Sequence, residues 1–379
     1  MTTKEILQKF HEIASNPSAQ KEKYRKENKQ IVLTAPVYTP EEIIHSMGLV
    51  PMGAWGADME LNESKSYFPA FICSIIQSIL ELGIQGSYQG VSAIVIPSLC
   101  DSLKVLGENW KYAVKDIPFI PMTYPQNRKP SYGIEFTKQS YLRMIADLEK
   151  ATGKVFDEKK LTKSIEIYNE HNKVMRKASD VLAEHPSISP QERSDIFKSG
   201  FFMLKEEHTE LVQMFLESLK EEENVNAQKV FVTGILTDSP DLLQILEENR
   251  MHIVGDDVAA QSRQYRIDAD TKIPGLDSLA QKFSSMDHCS VLYDAGKNRV
   301  DHIIKEAGKK GAEGIIVILT KFCDPEEFDY PLIKKACEKH DLPVLLIEVD
   351  RQTEKFEQAR TMMETFQNML EQRKKGLGV

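Results

Sequence analysis

Cysteine is scarce in this sequence, and the pattern of an export signal is missing. The chain has five cysteines among 379 residues, an odd number that is too small for a disulfide framework. Residues 1–20 mix charged and apolar side chains at helical spacing, unlike a signal peptide. No apolar run reaches the roughly 18 residues of a membrane-spanning helix. We therefore expect a cytoplasmic protein without a membrane segment, whose thiols stay reduced.

An excess of basic residues is also lacking. Lys and Arg number 48 against 57 Asp and Glu, which gives a net charge of −9. A chain with this balance has no net attraction to phosphate, so we do not expect a nucleic-acid-binding protein. A phosphate loop of the Walker type is absent as well, so we do not expect the chain to hydrolyse ATP by itself.

Apolar runs of strand length alternate with helical patterns along two parts of the chain, after a helical N-terminus. Strands are predicted over residues 31–35, 49–54, 92–97, 116–123, 229–233, 251–255, 314–319 and 343–348. Helices are predicted over residues 40–48, 71–83, 240–249, 299–310, 331–340 and 353–374. This alternation is typical of an α/β protein with parallel sheets. At roughly 150 residues per domain, the length predicts two or three domains.

The two α/β parts resemble each other. Four strands match in order, and the matched strands at residues 92–96 and 314–318 are followed by Cys100 and Cys323. The sequence therefore predicts two duplicated Rossmann/flavodoxin-like parallel-sheet domains.

A helical insertion is predicted between the two copies. Residues 135–225 are rich in Lys, Glu, Leu and Ile, and they end in the charge run Lys220–Glu223, which we interpret as a solvated face. The predicted boundaries are residues 1–134 for the first α/β domain, 135–225 for the insertion and 226–379 for the second.

Three of the cysteines lie where such folds bind ligands, beyond the carboxyl ends of parallel strands. Cys100 and Cys323 each follow a buried strand at equivalent places in the two copies. Cys73 lies near the start of a predicted helix, which would lower the pKa of its thiol. Three thiolates converging between two domains suit an iron–sulfur cluster. The alternative is that each cysteine is a small buried apolar residue.

The remaining candidate residues are less distinctive. Cys337 lies on the apolar face of a predicted helix and is assigned to the core, whereas Cys289 is left open as a ligand. A zinc site built from the three cysteines and His288 is a further alternative. Asp256, Asp257 and Arg263 could line the same cleft, although a helix cap and a surface ion pair are favoured.

Three segments carry a resemblance to a known family: Phe71-Ile-Cys73-Ser74, Pro97-Ser-Leu-Cys100-Asp101 and Lys321-Phe-Cys323-Asp324-Pro325. In this order on a duplicated α/β frame, they resemble the 2-hydroxyacyl-CoA dehydratase family, which shares a superfamily with benzoyl-CoA reductase. The resemblance covers nearly the whole chain. Within that family, the sequence resembles the beta subunit of (R)-2-hydroxyglutaryl-CoA dehydratase.

The resemblance implies a [4Fe-4S] cluster held by Cys73, Cys100 and Cys323. It also implies a heterodimer with a related alpha subunit, an acyl-CoA substrate, and a separate ATP-hydrolysing iron–sulfur activator that donates one electron. Some members contain FMN, and no residue of this sequence places a flavin. By analogy this chain relays electrons, Asp101 and Asp324 orient the ligands next to them, and no general base is named.

The implied reaction is the syn elimination of water from a 2-hydroxyacyl thioester such as (R)-2-hydroxyglutaryl-CoA. The β hydrogen is not acidified by the carbonyl group, so ordinary base catalysis fails. One-electron reduction of the thioester gives a ketyl radical that expels the 2-hydroxyl group and leaves a far more acidic β hydrogen. Two alternatives remain: a benzoyl-CoA reductase-type subunit, and a non-catalytic ligand-binding protein with two α/β lobes.

Overall fold

Two four-stranded parallel sheets form the centre of the protein. The computed structural model describes residues 1–220, 226–352 and 356–376. The first sheet contains β1 (Ile31–Thr34), β2 (Val50–Gly53), β3 (Ala93–Pro97) and β4 (Phe119–Met122). The second contains β5 (Gln228–Gly234), β6 (Met251–Val258), β7 (Gly314–Thr320) and β8 (Val344–Val349). Their strand orders, β2-β1-β3-β4 and β6-β5-β7-β8, are equivalent, which confirms the predicted duplicated α/β architecture.

Helices cover both faces of each sheet. The first unit contains α1 (Thr3–Ser15), α2 (Pro17–Lys26), α3 (Glu41–Ser46), α4 (Ser74–Ile84) and α5 (Asp101–Ala113). The second contains α10 (Pro240–Glu248), α11 (Gly275–Ser285), α12 (Asn298–Lys309), α13 (Asp324–Lys339) and α14 (Glu357–Lys374). Alternate strand residues point to opposite layers: Leu33 packs in one core cluster and Val32 in another. Parallel strands are therefore apolar on both faces.

Four further helices lie between β4 and β5 in the chain. They are α6 (Ser131–Thr152), α7 (Glu158–Ala183), α8 (Pro190–Ser199) and α9 (Lys205–Ser218). The domain boundaries at 134/135 and 225/226 stay a prediction. Most of the predicted solvated charge run, from residue 221, lies outside the described residues, as do the first residues of the helix predicted to begin at Thr353. Within the described ranges, no helix is both long and apolar enough to cross a membrane.

The structure corrects one helix that bears on the site. The predicted helix 331–340 in fact begins at Asp324, and Pro331 lies inside it. Because proline is most common at a helix start, Pro331 leads to a predicted start that is seven residues too late. The true start has Pro325 in the first turn and acidic residues next to the helix N-terminus, where negative charge is stabilising.

The segment between β6 and α12 contains elements that the sequence did not predict. Strand β6 continues to Val258, and α11 spans Gly275–Ser285. Asp256 and Asp257 are therefore strand residues, a position in which aspartate is normally depleted. Their partners, described below, explain the exception.

Candidate functional site

Cys73, Cys100 and Cys323 line one cavity between the two α/β units. The cavity has a volume of ≈ 570 Å³, and segments of both units form its walls. Its other lining residues are largely apolar and include Ile75, Ile76, Leu99, Leu103, Leu236 and Leu292. The structure therefore brings together the three cysteines that the sequence singled out, at the carboxyl ends of the strands where α/β folds bind ligands.

Each of these three cysteines is the N-cap residue of a helix. Cys73 precedes α4, Cys100 precedes α5 and Cys323 precedes α13. A helix N-terminus exposes unpaired backbone N–H groups and the positive end of the helix dipole. Three helix starts at one cavity provide a setting that stabilises anionic sulfur or an anionic cofactor.

Burial, however, dominates the pKa values of the three thiols. It raises the pKa of Cys73 to about 12, although the backbone N–H groups of Ile75 and Ile76 act in the opposite direction. Burial also raises the pKa of Cys100, and it raises that of Cys323 well above the usual range with the help of nearby Glu326. The helix start therefore acts on the pKa of Cys73 in the predicted direction, but the predicted net lowering is wrong because burial outweighs it. Without a metal the three thiols are protonated, and metal binding would release their protons.

The described residues do not form a site for a single metal ion. Among them, no group of three or more His, Cys, Asp or Glu side chains is close enough to hold one metal ion. Nor does His288 line the cavity, since its ring stacks on that of His302 with centroids 4.4 Å apart. Tetrahedral zinc needs all four ligands around one ion, so the proposed zinc alternative lacks support.

The three thiols do fit a larger iron–sulfur cluster. Each cysteine then binds a different iron, so the sulfur atoms lie further apart than around one ion. The cavity combines three soft donors with a largely apolar lining and three helix starts. The thiol donors and the positive ends of three helices suit an anionic iron–sulfur cluster.

The side chains of Asp101 and Asp324 do not orient the neighbouring cysteines. The Asp101 side chain is 92% exposed and pairs with Lys104 at 3.0 Å, and Asp324 is also exposed. The carboxylate close to Cys323 is that of Glu326, one helical turn further on and fully buried. Sequence reasoning missed Glu326 because the start of α13 was misplaced.

Glu326 belongs to a buried network of charges beneath Cys323. Arg263 donates to Asp257 at 2.9 Å and to Glu326 at 3.1 Å. Arg299 donates to the same two carboxylates at 2.8 Å, and to Asp329 at 2.8 Å. The predicted surface ion pair is therefore wrong, because Asp257 is fully buried and Arg263 is 3% exposed. Asp256 is also buried, and its Oδ1 accepts from the backbone N–H of Ser262 at 3.0 Å, at the start of the short 3-10 helix Ser262–Tyr265. Burial opposes ionisation of Asp257 and Glu326, but Arg263 and Arg299 outweigh it and lower the pKa of both carboxyl groups.

The other two cysteines lie outside the cavity. Cys337 is fully buried in a core cluster with Ile333, as predicted. Cys289 is 4% exposed, and its Sγ lies 3.5 Å from Nη1 of Arg263. Its neighbour Ser290 lines the cavity, whereas Cys289 packs in the core cluster next to the first sheet.

Comparison with known proteins places the chain in a recognised group. Residues 36–370 match the family model of the 2-hydroxyglutaryl-CoA dehydratase D-component. The chain is 44% identical to the (R)-phenyllactyl-CoA dehydratase beta subunit of Clostridium sporogenes, over 95% of this chain and 97% of that protein.

Two further relatives are beta subunits as well. The chain is 38% identical to the lactoyl-CoA dehydratase beta subunit of Anaerotignum propionicum, over 96% of this chain and 98% of the relative. It is 34% identical to the (R)-2-hydroxyglutaryl-CoA dehydratase beta subunit of Acidaminococcus fermentans, over 98% of this chain and 100% of the relative. The likeness therefore spans both α/β units and the helices between them.

Proposed function

Because this chain belongs to the 2-hydroxyglutaryl-CoA dehydratase D-component family and is a dehydratase subunit of the hydro-lyase class, we propose that it is the iron–sulfur beta subunit of a 2-hydroxyacyl-CoA dehydratase. The observation that supports this proposal most directly is the single cavity lined by Cys73, Cys100 and Cys323. The proposed reaction is syn elimination of water from an (R)-2-hydroxyacyl-CoA through a ketyl radical of the thioester, which gives the 2-enoyl-CoA.

Cys73, Cys100 and Cys323 would hold a [4Fe-4S] cluster through their Sγ atoms. When bound, such a cluster supplies one-electron reduction and leaves one iron open to a further ligand. The protein contributes the apolar walls that exclude water and the three helix starts that favour negative charge. The three thiols give up their protons on loading, so we expect cluster assembly to be favoured by mildly alkaline buffer.

The acyl group is proposed only as a class. Relatives named for phenyllactyl-, lactoyl- and 2-hydroxyglutaryl-CoA are all 34–44% identical to this chain. Beta chains for three different acyl groups are thus similarly related to it, and the cavity walls are mainly apolar. We propose that acyl selection lies in a related alpha subunit, that the pair is a heterodimer, and that a separate ATP-hydrolysing iron–sulfur protein donates the electron. (R)-2-hydroxyglutaryl-CoA remains one candidate substrate.

The test is anaerobic purification of the chain with its alpha subunit, followed by iron, acid-labile sulfide and flavin analysis. We expect iron and sulfide in equal amounts, and water elimination from one of the three 2-hydroxyacyl-CoA types once the activator and ATP are added. A colourless, iron-free complex would contradict the cluster. The flavin analysis decides whether FMN is present.

The benzoyl-CoA reductase alternative is decided by the same preparation, because reduction of an aromatic ring in place of water elimination would replace the dehydratase proposal. The ligand-binding alternative has no support once the chain is a dehydratase subunit.

A further inference from the structure

Arg351 connects the two α/β units immediately beside Cys73. It lies two residues after β8 and is 7% exposed. Its backbone N–H donates to Oγ of Ser74 at 3.0 Å, and its carbonyl oxygen accepts from the backbone N–H of Met59 at 3.1 Å. Ser74 is the first residue of α4 and directly follows Cys73. The second unit is therefore bonded to the start of the helix that carries this cysteine.

The guanidinium of Arg351 makes a second set of contacts across the same boundary. Its Nη1 lies 2.9 Å from Asp58 of the first unit, and its Nη2 lies 3.1 Å from Asp238 of the second. A planar guanidinium can bind two carboxylates in fixed directions, which a lysine cannot do. Arg351 thus fixes the relative position of two loops, one from each unit.

Asp238 extends these contacts to the helices between the units. It accepts from Nε1 of Trp55 at 2.6 Å and pairs with Nζ of Lys198, on α8, at 3.2 Å. Burial opposes ionisation of Asp238, but Arg351 and Lys198 outweigh it and hold its pKa below the usual range. Asp238 is therefore charged, and its pairing with Arg351 persists throughout the physiological pH range.

Arg351 is also joined to Cys323 through β8. The backbone N–H of Lys321 donates to the carbonyl oxygen of Val349 at 3.0 Å. The backbone N–H of Cys323 donates to the carbonyl oxygen of Thr320 at 3.0 Å. A short path of backbone bonds therefore leads from Cys323 through Val349 and Arg351 to the residue after Cys73.

We propose that Arg351 is a positioning residue that sets Cys73 relative to Cys323. Arg351 does not line the cavity, so it acts through Ser74 and the Asp58 loop and does not touch a cofactor. The nature of that cofactor rests on the proposed function, whereas the placement of the two thiols does not. Replacing the Arg351 side chain leaves Asp238 buried with one cation fewer and removes the contact with Asp58. The backbone of residue 351, which bonds to Ser74 and Met59, is then no longer held in place by the side chain.

The first test uses the full chain without metal. In Arg351→Gln we expect the alkylation rate of Cys73, measured by peptide mapping under anaerobic conditions, to rise several-fold while that of Cys337 is unchanged. The control is Arg360→Gln, an arginine on α14 that is 39% exposed and pairs with Glu248 on the surface. Equal Cys73 alkylation in the two variants would overturn the proposal, whether or not the wild-type chain binds iron.

The second test uses the chain reconstituted with iron and sulfide. Disturbing residues that orient metal ligands typically costs about 10- to 100-fold in metal affinity, so we expect Arg351→Gln to lose iron to a chelator faster by a similar factor. The EPR signal of the reduced cluster should also shift, with Arg351→Lys intermediate and Arg360→Gln unchanged. A wild-type chain without iron would refute the proposed function and leave the alkylation result to decide the positioning role.

A milder variant covers the case in which Arg351→Gln does not fold. Asp58 is 40% exposed in its pair with Arg351, so Asp58→Asn weakens one contact and retains the buried pair with Asp238. We expect a smaller rise in Cys73 alkylation and a smaller EPR shift in the same direction. If neither the alkylation rate nor the EPR signal changed, the proposal would be overturned.

Discussion

Cys100 and Cys323 occupy equivalent places in the two sheets, each as the N-cap residue of the helix that follows a central strand. Cys100 stands between β3 and α5, and Cys323 between β7 and α13. The third thiol breaks this symmetry, because Cys73 caps α4, which follows the edge strand β2. Its apparent counterpart in the second unit, Cys289, lies between α11 and α12 and faces Arg263 instead of the cavity.

Replacing any one of the three cavity cysteines by serine is expected to remove most of the bound iron and the dehydratase activity. Serine is a poor ligand for iron–sulfur clusters, and two remaining thiols do not hold a cluster of this type. Iron and sulfide per chain, measured after anaerobic purification, check the prediction.

Cys337→Ser is the matched control, since Cys337 is fully buried in the core away from the cavity. We expect full iron content in this variant and at most a loss of stability. Full iron in Cys73→Ser, Cys100→Ser or Cys323→Ser would exclude that residue as a ligand.

Arg299→Met is expected to lower the free energy of unfolding by about 3–5 kcal/mol, because it removes one of the cations that pair with three buried carboxylates. Arg299 contacts Asp257, Glu326 and Asp329, each at 2.8 Å. Denaturant unfolding of the metal-free chain measures the loss. Arg373→Met, at an exposed pair with Asp341, is the control and is expected to change stability by no more than about 0.5 kcal/mol. Similar losses in both variants would contradict this account of the network.

Gly234→Ala is expected to destabilise the second sheet at its cavity end. A Cβ at Gly234 would lie 2.4 Å from the carbonyl oxygen of Ile318 on β7. The strands must move apart, at a cost of about 1–3 kcal/mol, and the neighbouring cavity residues Ile235 and Leu236 move with them. In the control, Gly308→Ala on α12, the new Cβ meets no atom within 4 Å, and helix propensity favours a gain of about 0.5–1 kcal/mol. Thermal unfolding of the two variants should shift in opposite directions.

Acid is expected to destabilise the chain through two buried histidines that contact each other. Nε2 of His171 lies 2.8 Å from Nδ1 of His208, and both residues are fully or almost fully buried. Burial and Lys205 lower the pKa of His208 from 6.5 to about 3. Burial lowers that of His171 well below 6.5 too, helped by His208. The folded chain therefore holds both rings neutral where the unfolded chain protonates them.

The free energy of unfolding should then be constant above pH 6.5 and fall as the pH drops below it, down to about pH 3 for His208. The slope is at most about 1.4 kcal/mol per pH unit for each histidine. Urea unfolding between pH 5 and 8 measures it, and His208→Gln should flatten the profile. An unchanged slope in this variant would assign the acid sensitivity to other groups.

The strands and the cysteine positions were predictable because they depend on local patterns. Apolar runs such as residues 314–319 have few alternatives to a buried strand, and the match between the two copies indicates the duplication without reference to contacts. A cysteine a few residues beyond each matched strand then falls at the ligand-binding edge by topology alone.

The charge network was not predictable, because its members meet only in three dimensions. Asp257, Arg299 and Glu326 come from β6, α12 and α13, and none of them has a partner at helical spacing that would signal a pair. The same holds for Arg351 and Asp58, which are distant in sequence. Polar residues next to an apolar run, such as Asp257 two residues after the predicted strand 251–255, are the one signal that could have indicated buried partners.

The three helix starts around the cavity have a consequence for how the site responds to its surroundings. Backbone N–H groups and the Arg351 guanidinium do not titrate in the physiological range. A cofactor stabilised by these N–H groups would feel the same local field in mildly acidic and mildly alkaline medium, and Arg351 would hold the start of α4 equally in both. The contribution of these groups to the site would therefore be the same on both sides of neutral pH.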